Sequence, residues 1–200
     1  MKVEDFSQYP TGNLCNADPR VRPLISAIKP LIRGKRIAGF ARTVRITPGQ
    51  NGAIHRAVHD AQPGDMLVVD GAGSERFGPF GDLLADNCIA KGIVGAVFDC
   101  TIRDSQDIAA LDFQVFCRGF HPEATAKTDP GEIDIPLDLG GIAVHPGDVV
   151  VGDDDGVVVI PATVAGEVLE KVAIVAQREE QIRARIHAGE TTYDIFELNY

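Results

Sequence analysis

The 200 residues, 44% hydrophobic and 24% charged, suffice for one domain with a proper buried core. Twenty-nine acidic against 19 basic residues give a net charge of −10 with no basic stripe, which disfavours direct nucleic-acid binding. The N-terminus lacks the apolar core of a signal peptide, and no apolar run approaches the length of about 18 residues that spans a membrane, so a cytoplasmic protein without membrane contact is expected.

Residues 1–34 read as an N-terminal segment, irregular at first, with a short helical stretch over Pro19–Ile32 interrupted by Pro23 and Pro30. Lys35–Ile46 alternates weakly and reads as a strand; Gly52–Ala61 carries apolar positions at helical spacing. Pro63-Gly64-Asp65 is a turn feeding the apolar run MLVVD, a buried strand. After the loop GAGSERFGP comes FGDLLADNCIAKG, a helix in which Leu83, Leu84 and Cys88 share one face and which Gly92 stops. Ile93–Cys100 reads as a strand, Asp104–Leu111 as a helix with Asp104 near its N-cap, Phe113–Cys117 as a strand, and 118–131 as a polar loop.

The turn, strand and acidic turn at Pro63–Gly71 recur at Pro146–Gly156, which suggests two strands used similarly in one sheet system. Val157–Ile160 adds a strand, and one long helix follows from Thr163 to His187, apolar first and then charged, whose second half is expected to leave the core and in an oligomer to reach a neighbour. No linker divides the chain, so 1–200 reads as a single domain with a C-terminal helix over 163–190. The cysteines at 15, 88, 100 and 117 form no CxxC pair, and three lie in apolar stretches, as buried free thiols do.

The spacing between Asp82 and Arg103-Asp104 carries the chemistry. A helix from about Asp82 to Lys91 is roughly 15 Å long. The turn at Gly92 and the strand after it bring the chain back, so Asp82, Arg103 and Asp104 are expected at one edge of the fold. The helix start at Gly81, Asp82, Leu83 and Leu84 offers free backbone N–H groups to a carboxylate or phosphate, and Gly81 lets it approach. Arg103 offers a bidentate fork to the same anion. Asp104 can give an oxygen to a hard cation, Mg²⁺ or Mn²⁺, which a 2-oxo acid would chelate. Asp82 can hold a metal-bound water that acts as base. Spacing alone leaves plainer roles open: a helix-start acid at Asp82, an N-cap at Asp104 and a surface ion-pair partner at Arg103.

The segment GDLLADNCIAKGIVGAVFDCTIRD, with twenty residues between Asp82 and Arg103-Asp104, resembles the hallmark of the class II pyruvate aldolases that cleave 4-hydroxy-4-methyl-2-oxoglutarate, and equally that of their relatives, the regulator of ribonuclease E activity A family. IAGFARTV at 37–44, PGDMLVVDG at 63–71 and PGDVVVGDDDGVVVIP at 146–161 agree in order, and the likeness spans about residues 35–190. The resemblance implies an α/β fold, a β/β/α swivelling-type domain assembled as a homo-oligomer of three or six copies with sites at subunit boundaries. It implies pyruvate binding by the backbone at 81–84 and by Arg103, metal ligation by Asp104 and a catalytic water positioned by Asp82. It implies a glutamate from a neighbour's C-terminal helix, Glu179 or Glu180. The implied reaction splits a 4-hydroxy-2-oxo dicarboxylate to pyruvate and an oxo acid, with decarboxylation of oxaloacetate beside it. A non-catalytic regulator that binds an RNA-degradation enzyme is the other function the resemblance carries. Thr11–Asp18 departs from the usual family start.

Other motifs point to plainer structure. Asp153-Asp154-Asp155-Gly156 lacks the spaced ligands and closing glutamate of a calcium loop and reads as a strand-to-strand turn. His55 and His59 stand four apart, but Arg56 occupies the place where a zinc HExxH motif has glutamate. Gly71-x-Gly73 is followed by Arg76 where a dinucleotide fingerprint has glycine, and Lys91 at a helix end complements the dipole.

Overall fold

The computed structural model describes residues 2–199. Its centre is strand β1, Ile37–Arg45, with β2, Asp65–Asp70, parallel on one side; β3, Gly95–Phe98, and β4, Val115–Cys117, continue the parallel set. On the other side of β1 lies β5, Val149–Gly152, and then β6, Val157–Ile160, both antiparallel to their neighbours. The two Pro-Gly-Asp segments thus flank the same strand, one as a parallel and one as an antiparallel partner.

Parallel neighbours need crossovers, and helices supply them. After the one-turn-plus helix α1, Thr11–Ala17, come α2, Gly52–Asp60, between β1 and β2, α3, Asp82–Lys91, between β2 and β3, and α4, Ser105–Ala110, between β3 and β4. All three crossovers cover one face of the sheet: Ile54, Ala57 and Val58 of α2, Leu84 and Cys88 of α3 and Ile108 of α4 join Val69, Phe98 and Val115 in one core. Met66, Val68, Val97 and Phe116 face the opposite side, against Ile28, Leu137, Leu139 and Val144. This two-sided burial explains why MLVV reads as a continuous apolar run.

The C-terminal helix α5, Ala165–His187, starts after a 3-10 turn at Ala162–Val164. Val168 and Val172 pack with Phe6 and Leu14 on the β5–β6 end of the sheet. Beyond Val172 no residue of α5 is buried, and Ile174 is exposed, so its charged half does leave the core. Among the described residues no helix is long and apolar enough to cross a membrane. The four cysteines are free thiols, with Cys88, Cys100 and Cys117 buried.

Two expectations need correction. Pro19–Ile32 is not helical; helical turns instead occupy Val3–Gln8 and Thr11–Ala17, and the later residues give two-residue edge strands, Arg22–Pro23 on β6 and Lys29–Pro30 on β4. The prolines remove helix donors and suit sheet edges. Leu83 does not share the buried face of Leu84 and Cys88 but is 78% exposed. It lies about 100° around the helix from Leu84, in the first turn.

The joint between α1 and α5 rests on Asp18, whose buried carboxylate accepts from Arg20 Nη2 at 2.8 Å and Lys171 Nζ at 2.6 Å. Hydrogen bonds from Arg20 first, then from Lys171, hold its pKa well below the usual carboxylate range. Such a group stabilises the fold above its unfolded value, about 3.9, and loses that contribution as pH falls toward the folded value. Melting temperature should therefore decline below about pH 5, and Asp18→Asn should flatten that decline. An equally steep acid profile in the variant would remove Asp18 from the account.

Candidate functional site

Strands β2 and β3 deliver their following loops to the same end of the sheet, the carboxyl end where open α/β sheets place ligands. Three backbone and side-chain bonds lace those loops together. Thr101 N–H donates to Ser74 O at 3.0 Å, Thr101 Oγ1 donates to Phe77 O at 2.7 Å, and Arg103 N–H donates to Phe80 O at 2.9 Å. The last bond sets Arg103 directly against the start of α3, as the helix-turn-strand excursion predicts.

At that start Gly81 is the N-cap in an extended conformation, φ −140° and ψ −174°. The amides of Leu84 and Ala85 both donate to Gly81 O at 3.1 Å. Among the described residues no acceptor takes the amides of Gly81, Asp82 and Leu83, so these three point their partial positive charge at whatever lies in front of the helix. A Cβ on Gly81 would overlap Asp104 Oδ2 and come 3.1 Å from Arg103 Nε. That near-overlap places the helix cradle, the guanidinium and the carboxylate within one another's contact distance.

Asp104 is the N-cap residue of α4, but its side chain accepts no capping hydrogen bond. It adopts the left-handed region, φ 54°, and its Oδ2 lies 3.2 Å from Arg103 Nε. Aspartate tolerates this conformation better than most residues. The carboxylate is thus turned away from its own helix and toward Gly81, so the plain N-cap role leaves it unexplained. Gly78 is needed for Arg103 to lie where it does, because a Cβ there would meet Arg103 Cβ at 2.6 Å.

Arg103 separates two cavities. The first, about 210 Å³, has Gly81, Asp82, Leu83 and Leu84 on one wall and Asn51, His55, Thr125 and Lys127 on the other. The second, about 320 Å³, is lined by Asp104, Asp107, Phe120 and His121. The structure therefore brings together Gly81, Asp82, Leu83, Leu84, Arg103 and Asp104. Glu179 lies on α5, lines neither cavity and accepts from Asn13 Nδ2 at 3.1 Å within its own chain. Among the described residues no three His, Cys, Asp or Glu side chains gather as a ligand cage. Magnesium does not need one, since it keeps several waters and takes one or two carboxylates together with substrate oxygens. Asp104, half-buried and free of capping duty, fits that single-carboxylate role.

The description of the RraA-like family, aldolase/RraA, matches residues 11–159. The chain belongs to the RraA-like family. A relative from Halalkalibacterium halodurans, whose name provisionally calls it a 4-hydroxy-4-methyl-2-oxoglutarate aldolase, is 38% identical over 183 residues, covering 92% of this chain and 87% of that one. Among solved structures, RraAS2 of Streptomyces coelicolor, called an unusual member of the RNase ES inhibitor RraA family, superposes with a TM-score of 0.83 at 32% identity over 92% of this chain and 96% of its own. The RNA-processing inhibitor RraA from Thermus thermophilis gives a TM-score of 0.72 at 29% identity, covering 76% and 93%.

In this RraA-like chain the far wall of the first cavity is what sequence reasoning missed. The sequence pattern pairs His55 only with His59, four residues on; in the fold His55 lines the cavity while the His59 side chain is 85% exposed and lies 3.9 Å from Asp60. Asn51 carried the signal of a helix-start residue, and Lys127 lay in a polar loop without periodicity. That loop is strapped over the start of α2: Asn51 N–H donates to Ala126 O at 2.9 Å, Ala126 N–H donates to Gly49 O at 2.8 Å, and Thr128 N–H donates to Gln50 Oε1 at 3.1 Å. Burial first, and the Lys127 charge second, push the His55 pKa down, so its imidazole is neutral at neutral pH.

Proposed function

We propose that this protein is a divalent-metal-dependent aldolase that splits 4-hydroxy-4-methyl-2-oxoglutarate, or a related 4-hydroxy-2-oxo dicarboxylate, to pyruvate and a second oxo acid. Decarboxylation of oxaloacetate is its natural side reaction, because both pass through the enolate of pyruvate. The observation that carries this reading is the Asp104 carboxylate, turned from its own helix toward Gly81 and Arg103.

The free amides of Gly81, Asp82 and Leu83 and the Arg103 fork would bind the substrate carboxylate and orient its 2-oxo group. Asp104 would hold Mg²⁺ or Mn²⁺, which when bound supplies Lewis-acid stabilisation for negative charge developing on the 2-oxo oxygen. Asp82, on the wall of the same cavity, would position the catalytic water that exchanges protons with substrate. In an assembly of three or six copies, Glu179 from a neighbouring copy would complete the site. The working compartment would be the cytoplasm.

The test is pyruvate release from 4-hydroxy-4-methyl-2-oxoglutarate and from oxaloacetate, with Mg²⁺, with Mn²⁺ and with a chelator. Turnover of neither substrate, or turnover indifferent to the chelator, would overturn the reading. Arg103→Lys should raise KM about tenfold or more with a smaller effect on kcat, since lysine cannot reproduce two parallel charged hydrogen bonds. An unchanged KM would count against the fork.

A second reading, a non-catalytic regulator that binds and inhibits ribonuclease E, draws on the likeness to the Thermus thermophilis inhibitor. Such a role needs a surface and no pocket, and the fold supports both. Inhibition of ribonuclease E that survives replacement of Asp104 and Arg103 would favour it.

A further inference from the structure

The four residues before the Gly81 cradle, Phe77 to Phe80, belong to no helix or strand, so their path is set by what grips them from outside. Gly78 N–H donates to Glu123 O at 2.9 Å, Pro79 O accepts from Asn51 Nδ2 at 2.9 Å and Phe80 O accepts from Arg103 N–H at 2.9 Å. The Phe80 ring is fully buried and packs on Phe98 and Phe113, with centroids 4.9 and 6.1 Å away, which anchors that end of the segment in the core. At the other end Phe77 is half-buried, and its carbonyl accepts from Thr101 Oγ1 at 2.7 Å.

The Arg103 side chain rests on the Phe77–Gly78 peptide. A Cβ at Gly78 would stand 2.6 Å from Arg103 Cβ and 3.0 Å from Arg103 Cγ, so a tilt of that peptide moves the root of the guanidinium. Thr101, two residues before Arg103, is 4% exposed and lines neither cavity, so it meets no substrate. Its N–H donates to Ser74 O at 3.0 Å, and its methyl lies 3.7 Å from where a Cβ would stand on Gly119, its partner in a short parallel pairing. With both held, the hydroxyl is left facing Phe77 O. Valine keeps the shape and the methyl contact but sets a second methyl against that carbonyl, which then lacks its donor.

We propose that Thr101 is a positioning residue: its hydroxyl fixes the Phe77–Gly78 peptide, and through it the angle at which Arg103 meets the substrate carboxylate. The kinetic consequence rests on the aldolase reading; the effect on Arg103 does not.

Thr101→Val should raise KM for 4-hydroxy-4-methyl-2-oxoglutarate about tenfold with a smaller change in kcat, the scale of one lost hydrogen bond at a buried site. Thr101→Ser keeps the hydroxyl and should hold KM near the wild-type value. A hydroxyl that served the fold alone would lower the melting temperature and leave KM unchanged. A second readout needs no turnover: the Arg103 Nε–H resonance in a proton–nitrogen NMR spectrum, identified by its loss in Arg103→Lys. That group lies 3.2 Å from Asp104 Oδ2, so its shift reports on their separation. It should move in Thr101→Val and stay in place in Thr101→Ser. If Thr101→Val does not fold, Thr101→Ala, which removes the hydroxyl without adding a methyl against Phe77 O, replaces it in both measurements. A wild-type KM or an unmoved resonance in the hydroxyl-free variant, or an equal change in Thr101→Ser, overturns the proposal. If the wild-type protein turns over neither this substrate nor oxaloacetate, the aldolase reading falls, and the resonance alone decides whether Thr101 positions Arg103.

Discussion

Replacing Asp104 by alanine is expected to lower metal-dependent pyruvate release by about a thousandfold or more, the scale of several kcal/mol of transition-state stabilisation. The size follows from where the carboxylate points. It makes no capping bond to α4, and its contacts are Arg103 Nε and the open side of Gly81. Loss of a helix cap costs about 1 kcal/mol, so a purely structural Asp104 would show in the melting temperature and leave turnover intact. Alanine adds a complication, because φ 54° strains any residue with a plain Cβ. Asparagine tolerates that conformation and keeps the shape, so Asp104→Asn isolates the charge. Both variants should lose turnover, and Asp104→Asn should melt at the wild-type temperature. Full activity in Asp104→Asn would remove the carboxylate from the site.

Gly81→Ala should lower kcat/KM about a hundredfold, the order of effect that a displacement of 1 Å has on reacting groups. The backbone at Gly81 is extended, so alanine fits its φ and ψ and α3 should form as before. The added methyl has nowhere to go. It overlaps Asp104 Oδ2 and crowds Arg103 Nε, and it stands where an anion must approach the three free amides. One carbon thus moves the metal ligand, the fork and the bound carboxylate together. The measurement is steady-state kinetics with Mg²⁺ alongside thermal melting; unchanged kinetics would mean that the cradle is not used.

Much of the site was legible because its parts lie on one short excursion of chain. Helix, turn and strand have fixed rises per residue, so the twenty residues between Asp82 and Arg103 imply a return, and the bond from Arg103 N–H to Phe80 O is that return made. The strands β2 to β6 were legible because a run buried on both faces is apolar, and β1 showed only by its weaker alternation. The helix placed over Pro19–Ile32 failed because sheet edges claimed its prolines, a tertiary preference that no local pattern displays.

By itself the sequence determined the α/β order of elements, the helix start at Gly81 and the pairing of Arg103 with Asp104, all of them local or set by rise per residue. Only the tertiary structure decided which way the Asp104 carboxylate turns, that Leu83 is exposed, and that Asn51, His55 and Lys127 face Asp82 across one cavity. These residues come from segments 27 to 76 positions apart, and packing of α2 beneath the 124–129 strap, not spacing along the chain, brings them together.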